Sequence, residues 1–264
     1  MIKQTFLMQF SSFTIAVGMI FIMLIFFYAG FRVRKFFINK HKKFDGKSFG
    51  AAEGSLLGLL ALLLSFTFGM SSSKHDYRLK IIVEEANDIG TAILRADLYP
   101  DSIRKAFRHD FKDYVESRIE FFAAGRDTAR IYQSLRTSYT IQKLLWNRAT
   151  ELGQDQSNFS RTSQMIPALN TMIDVVTTRN AANLEKVPEL IIYVLFLLCF
   201  TSAFMLGYSA GIKPDLIIVT GFVLMISITV YLILDLDRPR SGTITMDSVN
   251  QNIANLRNMF TPGE

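Results

Sequence analysis

The sequence predicts an all-α membrane protein with four transmembrane helices and a helical extramembrane bundle between the second and the third. Four stretches without Asp, Glu, Lys or Arg predict this class, at residues 13–31, 54–73, 190–211 and 216–234. Each has about the 20 residues that a helix needs to cross roughly 30 Å of hydrocarbon. In addition, 50% of the residues are hydrophobic although 20% are charged, which is unusual for a soluble domain. A strand-like alternation occurs at most at 243–245.

The first transmembrane hairpin is predicted over residues 1–73, with a basic loop at 32–49. Its first span is longer than the apolar core of a signal peptide and is followed directly by basic residues, so we expect it to be retained. The loop holds seven Lys or Arg residues against one acid, Asp45, which accounts for the chain's net charge of +6. Basic residues beside a span are typical of a cytoplasmic loop near anionic lipid. They do not indicate nucleic acid binding.

This loop sets the predicted orientation. If 32–49 is cytoplasmic, both termini and the segment 74–188 lie outside. However, several basic residues also lie close to span ends on the opposite side, among them Lys74, Arg78 and Lys186. The charge rule therefore favours this orientation without deciding it.

The second span is predicted to continue into water as one helix over residues 51–96. No proline occurs before Pro100, so nothing interrupts it. Beyond the membrane, one helical face carries Glu84, Asp88, Thr91 and Arg95 at helical spacing, while another carries apolar residues. The apolar face must pack against other helices.

Two interpretations of the polar face remain open. It is either a solvated, partly ion-paired surface or the lining of an ion path around which several copies assemble. In the second case Glu84 and Asp88 form acidic rings, the usual device for attracting cations. The candidate lining residues are then Glu84, Asn87, Asp88 and Thr91, with Glu53 at the membrane edge.

The second span offers residues for a gate. Leu62, Phe66 and Phe68 could constrict and dewet a lumen. Small residues such as Gly54 and Gly58 would allow helices to approach closely. Ordinary helix packing explains the same residues equally well.

The bundle, residues 74–188, is predicted to contain three further helices, at about 102–124, 127–152 and 161–184. Asp101 is expected to cap the first of them and Gly125 to end it in a left-handed conformation. A polar break falls at 153–160, and the last helix is expected to continue past Pro188 into the third span. The second hairpin covers 189–237, followed by a tail at 238–264.

The fourth span ends in a group of charged residues. Asp235, Asp237 and Arg238 are followed by Pro239 and Gly242, which indicate a sharp exit from the membrane. These charges predict either an interfacial salt-bridge cluster or a vestibule that binds cations.

The sequence contains no motif typical of an enzyme. No nucleophile and base pattern, glycine-rich phosphate loop or metal-ligand spacing is found, and the three histidines are scattered. We therefore expect no catalytic residues, no metal and no cofactor. The single cysteine, Cys199, lies within a span and excludes an intrachain disulfide.

Three groups of residues carry a family resemblance: EANDIGTAILRADLYP at 85–100, the second-span segments 58–60 and 66–68, and DLDRP at 235–239 followed by Ser241-Gly242. Over about residues 50–244 the chain resembles the bacterial bestrophin-like membrane proteins, a family of largely uncharacterised function. The resemblance implies a multi-pass protein of the bacterial inner membrane. It also implies distant similarity to bestrophins, which are four-span, usually pentameric anion channels with cytoplasmic termini.

The residues depart from bestrophins in two respects. The basic loop favours the opposite orientation, and the candidate lining is acidic. The expected function is a homo-oligomeric ion channel lined by helix 51–96, either cation-permeable or of undetermined selectivity. Its expected partners are the lipid bilayer, inorganic ions and further copies of the chain, with no nucleic acid. The alternative is a membrane-anchored helical interaction or sensing module without conductance.

Overall fold

A computed structural model describes residues 9–40, 49–210 and 214–260, and within these ranges all regular secondary structure is helical. The predicted all-α class is confirmed, and residues 243–245 form no strand. The α-helices are α1 (Ser12–Lys40), α2 (Phe49–Ala96), α3 (Asp101–Ala123), α4 (Thr128–Leu152), α5 (Phe159–Leu184), α6 (Glu189–Ser209), α7 (Leu216–Leu236) and α8 (Asp247–Asn255). Short 3₁₀ turns occupy Gln156–Asn158 and Leu256–Met259.

Four stretches of helix among the described residues are long and apolar enough to cross a membrane. Their apolar parts lie in α1, α2, α6 and α7 and match the four charge-free stretches of the sequence, although the third helix ends at Ser209, before the end of the stretch 190–211. The second of them extends over Gly50–Ala96, in agreement with the single helix predicted at 51–96.

Two predicted boundaries are wrong. The basic loop does not begin at residue 32, because α1 continues as a helix to Lys40. Its remaining part, 41–48, lies outside the described residues. The third span does not continue α5, because residues 185–188 are not helical. Pro188 disfavours helix in the residue before it, and the buried Arg78 donates instead to the carbonyls of Ala182 and Glu185, at 3.0 and 2.6 Å.

The described residues divide into two compact units. The membrane unit contains those of Met1–Lys74 and Lys186–Arg238, and the bundle unit contains those of His75–Glu185 and Pro239–Glu264. In the membrane unit α1 packs against α6 and α7 around a core that includes Met23, Leu195, Cys199 and Val230.

Two glycines allow α1 and α6 to approach closely. A Cβ atom at Gly30 would lie 2.0 Å from the carbonyl oxygen of Phe204, and one at Gly207 would lie 1.9 Å from that of Phe27. Neither position has room for a side chain, so the backbones of the two helices are in direct contact. Small residues serve the same purpose at many membrane helix interfaces.

Arg34 joins the same two helices at one end of the membrane unit. It donates from Nη1 to the carbonyls of Tyr208 and Ser209, at 3.1 and 2.5 Å. These carbonyls belong to the last turn of α6, which lacks intrahelical partners and attracts positive charge. This contact gives a physical reason for the extension of α1 beyond its apolar part.

In the bundle unit α3 packs against α4 and α8, and α4 packs against α5. The apolar face predicted for α2 packs into this core, where Ile89 and Ile93 are fully buried beside Phe107, Phe111 and Leu145. The sequence did not predict α8, whose Ile253 is also fully buried.

The helix ends of the bundle unit only partly follow the prediction. Gly125 adopts the left-handed conformation expected of it, with φ of 54°. Asp101 is not a cap, because α3 begins at Asp101 itself and Pro100 precedes it. Its carboxylate instead contacts Arg104 and Lys105 in the first turn. Asp127 caps α4 by accepting from the backbone of Ala129 and Arg130.

Candidate functional site: a buried arginine cluster beside a cavity

The predicted lining residues of α2 differ in exposure. Glu84, Asn87 and Thr91 are exposed, whereas Asp88 is half-buried. Arg95, on the same predicted face, donates to Gln164 at 2.6 Å. In a single copy of the chain, three of the four candidates in this unit are therefore accessible to water.

The carboxylate of Asp88 is less accessible to water than the side chains of Glu84, Asn87 and Thr91. Its Oδ2 atom is enclosed and accepts no hydrogen bond from the described residues. Burial, together with the negative charges of Glu84 and Glu85, raises the pKa of Asp88 above its ordinary value. Ionisation of Asp88 at neutral pH therefore opposes folding.

Glu85, which the sequence did not single out as a site, is fully buried and paired with two arginines. It accepts from Arg118 Nε and from Arg179 Nη1, each at 2.5 Å. Burial acts to raise its pKa, but the charges and hydrogen bonds of Arg118 and Arg179 outweigh it. The pKa of Glu85 therefore lies below its ordinary value, and the carboxylate is ionised at neutral pH.

A third arginine joins this group around the ring of Phe121. The guanidinium carbons of Arg118, Arg179 and Arg240 lie 4.5, 5.5 and 4.4 Å from the ring centroid. Arg240 donates from Nη1 to the carbonyls of Phe121 and Gly125, at 3.0 and 3.2 Å. The negative face of an aromatic ring attracts cations, which helps to hold the three side chains together.

This arginine cluster, formed by Glu85, Arg118, Arg179 and Arg240, has more positive than negative charge. It contains three guanidiniums but one buried carboxylate, which bonds only Arg118 and Arg179. Burial and then repulsion from Arg179 and Arg118 lower the pKa of Arg240 to about 10. Moreover, Nη1 and Nη2 of the fully buried Arg118 have no hydrogen-bond partner among the described residues. Unpaired buried donors are costly, by about 1–3 kcal/mol for a typical polar group.

A cavity of about 120 Å³ adjoins the cluster. Arg179 and Arg240 both line it, and Arg179 Nη2 also donates to the lining residue Asn250 at 2.7 Å. The other polar lining residues are Asn183, Ser241, Thr245 and Asp247. Asp247 is exposed, whereas Arg179 and Asn250 are buried and Arg240 is half-buried.

The candidates in the membrane unit are placed as follows. Glu53 accepts from Ser209 Oγ at 2.9 Å, which links the start of α2 to the end of α6. The proposed gate residues Leu62, Phe66 and Phe68 are 53%, 64% and 41% exposed in the single chain. They therefore contribute little to the core of their own chain.

The charged group at the end of α7 forms contacts with the backbone. Asp237 accepts from the Val187 amide at 3.0 Å, and Arg238 donates to the carbonyl of Phe10. Asp235 is buried, with 2% of its surface exposed. These contacts favour a structural role for the group.

No three His, Cys, Asp or Glu side chains in the described part of the chain are arranged to hold a metal ion. His75 lies 3.6 Å from Asp76, and His109 lies 3.6 Å from Asp113. The arginine cluster instead presents donors, which suit a carboxylate or a phosphate.

The signal that could have identified the cluster is a charge on an apolar helix face. Arg118 follows Phe107, Phe111 and Tyr114 at spacings of four, three and four residues, and Arg179 follows Met172 and Val175 or Val176 in the same way. A basic residue at such a position is expected to be buried and therefore paired.

The comparisons with known proteins agree with the resemblance found in the sequence. No curated protein and no solved structure matches the chain. The family model described as Bestrophin-like domain matches residues 55–249, which is about three quarters of the chain and includes Glu85 and all three clustered arginines. The chain therefore belongs to the bestrophin-like family.

Proposed function

We propose that this protein is a homo-oligomeric ion channel in which α2 lines the path. The observation that carries the proposal is the exposure of α2 within the membrane unit. Only 17% of its apolar window is buried, against 28% for α1 and 33% for each of the stretches in α6 and α7. The family, whose name relates it to the bestrophin channels, supports the same function.

The exposed surface of α2 suits contact with further copies. Gly54, Gly58 and Gly69 have no atom within 4 Å of the position that a Cβ would occupy. With Ala61 and Ser65 they form one helical stripe, along which another helix could approach closely. Leu62, Phe66 and Phe68 would then form the hydrophobic gate.

We propose that cations permeate this channel. Glu84 is exposed on α2 and would form a ring of carboxylates in the oligomer, while Asn87 and Thr91 would add polar groups. This selectivity is opposite to that of the anion channels after which the family is named. We assign the protein no catalytic activity.

The test is conductance of the purified protein in planar bilayers with a KCl gradient. We expect channels whose reversal potential indicates cation preference, and Glu84→Gln should move that potential towards zero. Glu151→Gln on α4 is the matched control, because Glu151 is also exposed and loses the same charge. A protein that is monomeric in mild detergent, or that never conducts, would refute the proposal.

The proposed location is the bacterial inner membrane, with the basic residues 32–49 on the cytoplasmic side and both termini and 74–188 outside. Single cysteines at Lys43 and Ser157 test this orientation in a Cys199→Ser background. A membrane-impermeant thiol reagent applied to intact spheroplasts should label the second position alone. Labelling of the cysteine at position 43 alone would show that the protein has the opposite orientation.

The second candidate is a membrane-anchored interaction or sensing module without conductance. The cavity beside the arginine cluster supports it, because a ligand site in the bundle unit is a feature that a simple pore does not need. If the protein is such a module, it should bind a ligand but should not conduct ions in planar bilayers.

A further inference from the structure

We infer that the cavity beside the arginine cluster is a binding site for a small oxyanion, a free phosphate or carboxylate ligand. The inference does not depend on whether the protein conducts ions. The site is formed by α2, α5, the turn after α3 and the segment 239–250, all within the bundle unit.

The balance of charge is the first argument. Arg118, Arg179 and Arg240 lie around one ring, and Glu85 is the carboxylate bonded to two of them. Asp247 at the cavity reduces the positive excess without removing it. Positive charges collected out of water are stable only with a counter-charge, and a bound anion would supply it.

Unused donors are the second argument. The hydrogen bonds of Arg240 to described residues use Nη1 alone, although its guanidinium carries five N–H groups. Arg118 does not line the cavity, but it bonds the same carboxylate as Arg179, and its Nη1 and Nη2 are buried without a partner among the described residues. Guanidinium groups bind phosphate and carboxylate through paired hydrogen bonds, so the available chemistry matches an oxyanion and not a cation.

The size of the cavity is the third argument. Its volume of about 120 Å³ is several times the share of one water molecule in the liquid, roughly 30 Å³. Asn250 and Ser241 add polar groups beside the two lining arginines. A small oxyanion could thus enter the cavity. Hydrogen bonds from guanidinium and amide groups would then replace those from its hydration water.

Isothermal titration calorimetry of the full-length protein in detergent tests the inference. The probes are sodium phosphate and sodium acetate, titrated at an ionic strength held constant with NaCl. We expect saturable binding of at least one of them and a dissociation constant at least tenfold higher for Arg240→Gln. The control is Arg136→Gln, which removes the same charge from an exposed residue of α4 and should leave binding unchanged.

Two results would overturn the inference: no saturable binding of either probe by the wild-type protein, or equal affinity in Arg240→Gln. Fluorescence of Trp146, the chain's single tryptophan, checks that each variant is folded. If Arg240→Gln does not fold, Arg240→Lys replaces it, because lysine keeps the charge but not the planar fork. That variant should bind several-fold more weakly, and unchanged binding would count against the site.

Discussion

Glu85 holds two arginines of different helices in the interior of the bundle unit. Arg118 belongs to α3 and Arg179 to α5, and both side chains are almost fully buried, like that of Glu85. A buried ion pair contributes less than its charges suggest, because both ions lose their hydration. Removing one partner is different, because it leaves the other charge in the interior without compensation.

Glu85→Gln is therefore expected to destabilise the protein strongly. Two guanidiniums would lose their shared counter-charge, and breaking such a pair typically costs about 3–5 kcal/mol. Thermal unfolding followed by Trp146 fluorescence measures the effect. Glu116→Gln is the control, since its pair with Arg257 is half-exposed and should be worth about 1 kcal/mol or less. Similar losses in both variants would contradict the role of burial.

Asp88→Asn is expected to stabilise the protein at neutral pH. The raised pKa of Asp88 means that the folded protein binds its proton more tightly than the unfolded chain does. Its contribution to stability is thus full below the ordinary value of 3.8 and is lost as the pH rises through the folded pKa. Because the carboxylate is only half-buried, we expect a gain of about 0.5 kcal/mol or less at pH 7.

The pH profile of unfolding distinguishes this effect from a general change in packing. The advantage of Asp88→Asn over the wild type should disappear as the pH is lowered below 4. Asp113→Asn, a change at an exposed carboxylate, is measured alongside as the control for the loss of a surface charge. A gain that persists at low pH would show that the charge of Asp88 is not its cause.

The backbones of α1 and α6 are in direct contact at Gly30 and Gly207. Substitution of one of these glycines tests how much this contact stabilises the membrane unit. Gly30→Ala would place a methyl group against the carbonyl of Phe204, where the backbone cannot easily move. We expect a loss of about 1–3 kcal/mol or more. Gly18→Ala in the same helix meets no atom within 4 Å and should be neutral or stabilise by up to about 1 kcal/mol.

Cys199 provides the measurement for this pair. It is the chain's single cysteine and is fully buried in the membrane unit. A thiol-reactive fluorophore therefore reports the temperature at which that unit opens. Equal transition temperatures for Gly30→Ala and Gly18→Ala would mean that the contact between α1 and α6 is looser than described.

Most helices could be predicted from the sequence because their signals are local. Charge-free stretches, apolar spacing, Gly125 and Pro100 indicate spans and helix ends without reference to the rest of the chain. The extension of α1 to Lys40 and the break before Pro188 were missed for the opposite reason. Arg34 and Arg78 each bind carbonyls of a helix distant in sequence, and such contacts leave no local pattern.

The same distinction applies to the site. The exposed residues of α2 were found by their spacing, but the arginine cluster combines residues from α2, α3, α5 and the segment after α7. Arg118 could be recognised as buried from its position on an apolar face. Its partner Glu85 could not be identified from the sequence, because several acids in the chain have the required charge. Only the packing of the helices brings Glu85 to Arg118.

For the whole molecule, assembly is the property on which the proposed channel depends. Gly58→Leu should weaken the association of copies by about tenfold or more, because it blocks the close approach of helices along α2. Light scattering of the protein in mild detergent gives the mass of the assembly. Gly221→Leu on α7 also faces open space and should leave that mass unchanged. The same mass for both variants would exclude this face of α2 from the interface.

The bonds between Arg34 and the last turn of α6 also have a consequence for topology mapping. They bring the end of α1 together with the end of α6, and the Ser209 to Glu53 bond adds the start of α2. In the proposed four-span topology, the end of α1, the start of α2 and the end of α6 would then lie at the same membrane surface. One epitope inserted beside Pro214 would consequently report the sidedness of these helix ends, without any alteration of the basic segment whose charges are proposed to direct insertion.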